Sequence, residues 1–441
     1  MADNKEPKHI VVVGLGATGF SIAVWAHQQG YRVTVLDDRD RPPYSERLKS
    51  TCPSVQLAGQ SDCHTLYHQA NLIAISPGLS PNHPMMNALV ASEKPFMTDI
   101  ELFQLYCDKP LIGITGSNGK TTVSKMVELI LNESGLNAAL VGNVGIPIMS
   151  LLDHKRYQQY DCFVVELSSF QLYWLKKVDL AIGVVLNLHP NHLDWHENMQ
   201  HYWQAKKKVL TNTIKPILAK QALSYDEVKN DPSITRISTT IPESDDILYR
   251  KVRKLAHGQA LENLVSSYVS AWIIGKTWGV DELSMANGLK KFKPWPYRCM
   301  KEDAQHVKGT WYNDAKSSNL AAAKYAISHV WLYHQKPIIW IAGGVSKNED
   351  MATIDNWVPM LKQAIFYGKD ASLFQRVLQQ TVVPTSLVET LEDAIDLIKL
   401  TVDDDCVIVF SPAAASFDQF NNFEHRGHAF TEHLGRCYET T

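Results

Sequence analysis

At 441 residues, with 45% apolar content and a formal net charge of −3, the chain has the length of about three globular domains at ~150 residues each, and apolar material for several cores. It has neither a long basic run to engage nucleic acid nor an 18-residue apolar run to span a membrane. The seven cysteines form no CxxC pair, and the first residues, Met1-Ala-Asp-Asn-Lys-Glu, lack signal-peptide character, which predicts a soluble protein of a reducing, cytoplasmic compartment.

In chain order, His9–Val13 reads as a strand, residues 17–29 as a helix ended by Gly30, and Arg32–Leu36 as a second strand. Between them lies Gly14-Leu-Gly16-Ala-Thr-Gly19, with Asp37 at the end of the next strand. This is a dinucleotide fingerprint: a diphosphate at a helix N-terminus and a ribose bonded to a carboxylate. NAD, FAD or a UDP group satisfies both requirements. Alternation continues through Leu72–Ile75, which predicts a first α/β unit with parallel strands.

The pattern restarts at Leu111-Ile-Gly-Ile-Thr115-Gly116-Ser117-Asn118-Gly119-Lys120-Thr121-Thr122. A buried strand, two glycines and Lys-Thr at a helix start make a phosphate cradle for ATP. Backbone N–H groups point inward, Lys120 reaches the β/γ-phosphates and the Thr121 hydroxyl meets Mg²⁺. Ile114 stands where the standard motif has its first glycine. Val123, Met126, Val127, Ile130 and Leu131 supply the helical stripe. Further strands are expected at 162–165 and 181–186, a polar interruption at 224–246, and a helix over 261–274. Lys293-Pro-Trp-Pro-Tyr297 is the expected linker, because two prolines stiffen it. Beyond it come a strand at 337–341, a helix at 354–364, a strand at 406–410 and a final helix from about Ser416.

Behind the phosphate loop follow Asn143, then Glu166-Leu-Ser168-Ser-Phe-Gln171, then Asn187-Leu-His-Pro-Asn-His192-Leu-Asp194, then Gln204-Ala-Lys206. Glu166 ends an apolar strand, where a carboxylate can take Mg²⁺ beside ATP phosphates, and His192 can take a second ion.

With Ser76-Pro-Gly78, Asp99-Ile-Glu101-Leu-Phe103, Asn313-Asp314-Ala-Lys316-Ser-Ser318-Asn319, Gly343-Gly-Val-Ser-Lys347 and the run from Ser411 to Gly427, the chain resembles the Mur ligase family over nearly its whole length. The resemblance implies an α/β protein of three domains: a Rossmann-like UDP-sugar domain (1–98), a central phosphate-loop ATPase domain (99–294) and a C-terminal Rossmann-like domain (295–441). It also implies ATP-dependent addition of D-glutamate to UDP-N-acetylmuramoyl-L-alanine through an acyl phosphate, in a bacterial cytoplasm, by a monomer.

Site residues follow from the same match. Gly16, Ala17, Thr18, Asp37, Asp38, Arg39, Gly78, Asn143 and His192 would hold the UDP-sugar. Residues Thr115 to Thr122, with Asn263, Arg298, Asp314 and Lys316, would hold ATP. Ser318, Lys347, Ser416, Phe417 and Phe423 would hold glutamate. Thr121 and Glu166 would bind one Mg²⁺, and His192 with Lys206 a second, Lys206 as its carbamate. Lys120, Glu166, His192 and Lys206 form the expected catalytic set. A carbamate needs a neutral amine, and at a pKa of ~10.4 only about one amine in a thousand is neutral at pH 7. The neighbouring Lys207 and Lys208 are expected to depress that value. The alternative is a solvated Lys-Lys-Lys helix face.

The chain departs from the family at His257-Gly-Gln259-Ala260-Leu-Glu-Asn263, where Gln259 and Ala260 replace a His-Asn pair, and at Tyr297, where the family has histidine. Competing readings are an L-glutamate or other amino-acid ligase of this fold, an NAD-dependent dehydrogenase, and a non-catalytic UDP-sugar-binding relative. The dehydrogenase leaves Lys120, Glu166 and Lys206 without use.

Overall fold

The computed structural model describes residues 8–219, 231–237, 265–293, 296–304, 307–346 and 351–435. They pack as two compact units. The first holds the described residues up to 188 with 197–237 and 270–289; the second holds 189–196, 265–269 and the chain from 290 onward.

The first unit carries two sheets. Strands β1 (His9–Val13), β2 (Arg32–Leu36), β3 (Gln56–Ala58), β4 (Leu72–Ile75) and β5 (Phe96–Thr98) lie in the order β3-β2-β1-β4-β5, all parallel. β1 is buried at every position, and after His9 it is a β-branched run, as a strand covered on both faces must be. The order reverses between β1 and β4, the switch point at which doubly wound sheets bind ligands. A Cβ at Gly19 would stand 1.9 Å from the Gly14 carbonyl oxygen, so only glycine lets the helix Ala17–Gln28 start this close to the strand end.

The second sheet has the order β11-β10-β9-β6-β8-β7, formed by β6 (Leu111–Thr115), β7 (Ala138–Gly142), β8 (Cys162–Glu166), β9 (Leu180–Val185), β10 (Thr213–Ala219) and β11 (Thr235–Ile237), again parallel. β6 lies between β8 and β9, so the C-terminal ends of these three strands open on one edge. One apolar cluster runs through both sheets, from Ile10, Ile22 and Trp25 to Phe103, Leu111, Met149 and Phe163. Thr98 and Asp99, at the expected junction, are buried, and Ile100 and Phe103 just after them belong to that cluster.

The second unit is built on the sheet β12-β13-β17-β14-β15-β16: β12 (Met300–Lys301), β13 (Thr310–Asn313), β14 (Ile338–Gly343), β15 (Leu361–Tyr367), β16 (Thr385–Leu387) and β17 (Val407–Phe410). β12 pairs antiparallel with β13, and the other strands are parallel. Trp340, Trp357, Phe366 and Phe374 pack on one face; Trp311, Phe410 and Phe430 pack on the other.

Two expected helices differ. Residues 354–364 divide into a 3-10 helix, Met351–Met360, and the start of β15. Pro359 cannot donate in a continuing helix, and Ala364–Tyr367 are buried beside β14. The last helix is Phe423–Gly435 rather than one from Ser416, because Asn422 Oδ1 accepts the His425 N–H at 2.7 Å and caps it there. Much of the 224–246 interruption and the two prolines' surroundings at 294–295 lie outside the described residues, although β11 sits within the former. The helix expected over 261–274 is described from Val265, as Val265–Trp278.

Candidate active site

The phosphate loop hangs between β6 and the helix Lys120–Glu133. Gly119 takes φ +80° immediately before the helix, and Gly116 takes φ +156°, where a Cβ would meet Leu186 at 3.0 Å. The loop is braced from β9: Asn118 N–H donates to Asn187 Oδ1 at 2.9 Å, Asn187 Nδ2 returns a bond to Asn118 O at 3.0 Å, and Ser117 N–H donates to Asn187 O at 3.2 Å. Lys120 Nζ donates to Gly116 O at 2.9 Å and to Ser117 O at 3.1 Å.

From below, the helix Met199–Thr211 presents two residues one turn apart. Tyr202 and Lys206 are both about 1% exposed. The Tyr202 hydroxyl bonds Ser117 Oγ at 3.1 Å. Lys206 Nζ donates to Thr115 Oγ1 at 3.2 Å and to Gly116 O at 2.9 Å, and stands 4.7 Å from the Tyr202 ring centroid. Burial drives the Lys206 pKa well below the ordinary lysine value; the Lys120 charge lowers it further and Glu166 works against both. Lys207 and Lys208, the expected source of that depression, do not supply it. The depressing charge is Lys120, and Lys208 turns away to bond the Tyr173 and Leu175 carbonyls. A solvated lysine face is excluded by the burial of Lys206.

Glu166 pairs in register with Ile114, next to the loop. Its Oε1 accepts Asn143 Nδ2 at 2.8 Å, while its Oε2 is buried with no hydrogen-bond partner among the described residues. A buried carboxylate oxygen left over beside a phosphate loop fits a hard divalent cation. Among the described residues no three His, Cys, Asp or Glu side chains converge as a complete metal site. A cation here would therefore take its remaining ligands from Thr121, phosphate oxygens and water.

At the first sheet, Asp37 is 6% exposed and both its carboxylate oxygens are engaged. Leu15 N–H donates to Oδ2 at 2.7 Å, Arg39 N and Nε donate to Oδ1 at 3.1 and 2.8 Å, and Arg39 Nη2 donates to Oδ2 at 2.7 Å. Burial raises its pKa, but the Arg39 bond and the backbone N–H groups outweigh it, so the carboxyl titrates below its ordinary value. Asp37 thus orders the turn that exposes Asp38 and Arg39. Asp38 meets His83 at 3.1 Å, and Gly16, Ala17, Thr18 and Gly78 line the same strand ends.

In the second unit, His192 has φ +56° and its carbonyl accepts the N–H groups of Trp195 and His196. Asp314, Lys316 and Ser318 follow β13, and Ser416 follows β17. Arg426 is 1% exposed and ties these loops together: its Nη2 donates to Ala315 O at 2.9 Å and Ala414 O at 3.0 Å. Val345 and Ala415 exchange both backbone hydrogen bonds, at 2.9 and 2.8 Å, joining the loops after β14 and β17. Lys316 Nζ lies 3.7 Å above the Phe423 ring, and Phe417 is 75% exposed. Lys347 and Asn263, with all of 257–263, lie outside the described residues.

Sequence alone gives Asn187, Tyr202 and Arg426 no role. Asn187 carries a readable signal, an amide side chain just beyond a strand that flanks the phosphate-loop strand. Tyr202 stands four residues before Lys206, the spacing of one helical face.

Two family models match this chain: the Mur ligase middle domain over residues 114–260, and the Mur ligase MurD-like N-terminal domain over 8–97. It is 32% identical to a Nitrosococcus oceani protein named UDP-N-acetylmuramoylalanine--D-glutamate ligase, over 96% of this chain and 95% of that one. A Coxiella burnetii protein of the same name is 31% identical, over 96% and 97%. In fold it is similar to a pseudomurein peptide ligase type C from Methanothermus fervidus (TM-score 0.57, 19% identity, 91% of this chain and 96% of that one). MurF from Acinetobacter baumannii is a second such structure (TM-score 0.58, 14% identity, 98% and 93%).

Burial is the main force raising the Asp314 carboxyl to about 7, against the Ser411 Oγ bond at 2.7 Å and the charges of Arg298 and Arg426. In the unfolded chain this carboxyl titrates near ~3.9. The folded state therefore holds a proton that the unfolded state has lost, and this stabilisation, complete below pH ~4, disappears as pH rises through about 7. Asp314→Asn removes the titration. Between pH ~5 and ~8 the wild type is expected to lose on the order of 2 kcal/mol more unfolding free energy than the variant. Urea unfolding at both pH values checks this; equal losses would contradict it.

Proposed function

The chain belongs to the Mur ligase family, and from that premise we propose that it joins D-glutamate to UDP-N-acetylmuramoyl-L-alanine with cleavage of ATP to ADP and phosphate, a step in making the peptidoglycan precursor. The observation that carries the ligase chemistry is the meeting of Lys120 and Lys206 at the Gly116 carbonyl, beside the unsatisfied oxygen of Glu166. The acceptor is taken from the name printed for the relatives.

In this reading residues 1–98 bind the UDP-sugar, 99–294 bind ATP and 295–441 bind glutamate. Gly16, Ala17, Thr18, Asp38, Arg39 and Gly78 contact the nucleotide-sugar, with Asp37 holding Arg39 in place. The terminal carboxylate of the UDP-sugar attacks the γ-phosphorus, ADP leaves, and an acyl phosphate forms. The glutamate amine then attacks the acyl carbon, phosphate leaves, and the amine gives up its proton to solvent.

Lys120 swings from its loop carbonyls to the transferring phosphoryl group, whose growing charge it stabilises. Loop N–H groups 116–119 hold the β-phosphate. Thr121 and Glu166 would hold one Mg²⁺, and His192 with a carbamylated Lys206 a second; metal bound there would supply neutralisation of phosphate charge. Asn143 fixes Glu166 through its 2.8 Å bond. Arg298, Asp314 and Lys316 contact ATP from the C-terminal domain; Ser318, Lys347, Ser416, Phe417 and Phe423 contact glutamate. The protein acts as a monomer in the bacterial cytoplasm.

Phosphate release from ATP with UDP-N-acetylmuramoyl-L-alanine and D-glutamate, L-glutamate or no amino acid tests the assignment. Release that depends on D-glutamate is expected. Dependence on L-glutamate would change the acceptor, and no release with any acceptor would overturn the reading. Lys206→Ala is expected to lower turnover at least about a hundredfold, with part returning on addition of acetate in place of the lost carbamate. Full activity of this variant without added acid would remove the role given to Lys206.

A further inference from the structure

The helix Ser169–Trp174 begins three residues after Glu166 and ends in a turn where successive residues reach different parts of the first unit. Lys208 Nζ donates to Tyr173 O at 2.6 Å and to Leu175 O at 2.8 Å. Trp174 Nε1 donates to Leu79 O at 3.2 Å, and its ring meets Phe96 of β5 edge-on at 5.9 Å. The N–H groups of Lys176 and Lys177 donate to Glu101 Oε1 at 2.8 and 3.0 Å. Glu101 Oε2 in turn accepts Thr98 N–H at 2.8 Å and Thr98 Oγ1 at 2.9 Å.

Two of these contacts lead to the proposed site. Leu79 follows Gly78 in the loop after β4, and a Cβ at Gly14 would meet Ser76 at 3.1 Å and Leu79 at 3.8 Å. That loop faces the diphosphate fingerprint, and the indole N–H, 7% exposed as a residue, has the Leu79 carbonyl as its acceptor. Lys208 lies two residues after Lys206, about 200° around the same helix. Lys206 points into the phosphate loop, while Lys208 points at the last carbonyls of the helix Ser169–Trp174, where a cation also suits the helix dipole. The two lysines therefore hold their helix from different sides.

We propose that Trp174 and Lys208 are positioning residues of the ligase reaction, with the turn 173–177 as their common anchor. Trp174 sets the Gly78-Leu79 loop for the UDP-sugar, and Lys208 sets the rotation and height of the helix that presents Lys206. The proposal rests on the function assigned above, so wild-type turnover with ATP, UDP-N-acetylmuramoyl-L-alanine and D-glutamate is measured first. Its absence would overturn that function, and this proposal with it.

Given wild-type turnover, steady-state kinetics of Trp174→Phe and Lys208→Met separate the two roles. Trp174→Phe keeps an aromatic ring, though a smaller one, and loses the donor. It is expected to raise KM for the UDP-sugar about tenfold, the scale of one buried acceptor left unpaired, with kcat and KM for ATP within about twofold. Lys208→Met keeps the buried stem and loses the charge. It is expected to lower kcat about tenfold and to raise the Mg²⁺ concentration for half-maximal rate, with KM for the UDP-sugar within about twofold. Lys208→Arg, which restores the donors, is expected to recover most of kcat. If Lys208→Met does not fold, Lys208→Gln replaces it with the same split expected. Variants that change both parameters in proportion, or that lower only thermal stability, would overturn the proposal.

Discussion

Two lysine ammonium groups share one backbone carbonyl, Gly116 O, and the rest of the first unit is arranged to make that tolerable. Held on the same oxygen at 2.9 Å each, the groups stand within about 6 Å of one another, a gross repulsion of about 3 kcal/mol at an effective dielectric of ~20. Lys120 keeps a partly open setting, but Lys206 is fully enclosed by Thr115, Gly116 and the Tyr202 ring. The protein relieves the strain by making the buried amine easier to deprotonate. Deprotonation is also what carbamate chemistry requires, so the same burial that penalises the cation prepares the group for its proposed use. The phosphate loop, strand β8 with Glu166, and the helix Met199–Thr211 are thereby parts of one electrostatic arrangement.

The second unit solves a comparable problem with the opposite choice. Arg426 cannot shed its proton. It is kept buried by giving its Nη2 two backbone carbonyls, Ala315 O and Ala414 O, one from each of the loops after β13 and β17. Asp314, close enough to feel its charge, nevertheless has a raised pKa because burial outweighs both arginines. A fixed cation thus organises the C-terminal loops, while a titratable one sits under the phosphate loop.

The fingerprint at the first sheet shows how a motif can be legible while its use is not. Gly14, Gly19 and Asp37 stand as the spacing requires, and the Gly19 contact explains why glycine is needed there. Yet both oxygens of Asp37 are bound by Leu15 and Arg39, an arrangement that serves to set a turn. Strand positions and the phosphate loop were readable because buried β-branched runs and a glycine-to-lysine turn are local signals. The Asn118–Asn187 brace, the Tyr202–Ser117 bond and the role of Lys120 on Lys206 join residues at least 69 positions apart and leave no periodic trace. The adjacent lysines misled for the same reason: helix geometry turns Lys206 and Lys208 in different directions, and neighbours in sequence are not neighbours in field. The start of the final helix is hard to read from sequence because the Asn422 cap lies inside a run of polar and aromatic residues compatible with a helix.

Activation of a carboxylate by phosphorylation is the step on which the proposed function turns. The most direct measurement uses UDP-N-acetylmuramoyl-L-alanine labelled with ¹⁸O in its terminal carboxylate and follows the label into products by mass spectrometry. Attack of the carboxylate on the γ-phosphorus, followed by amine displacement at carbon, predicts one labelled oxygen in each released phosphate. Unlabelled phosphate in the presence of full amide formation would contradict the account.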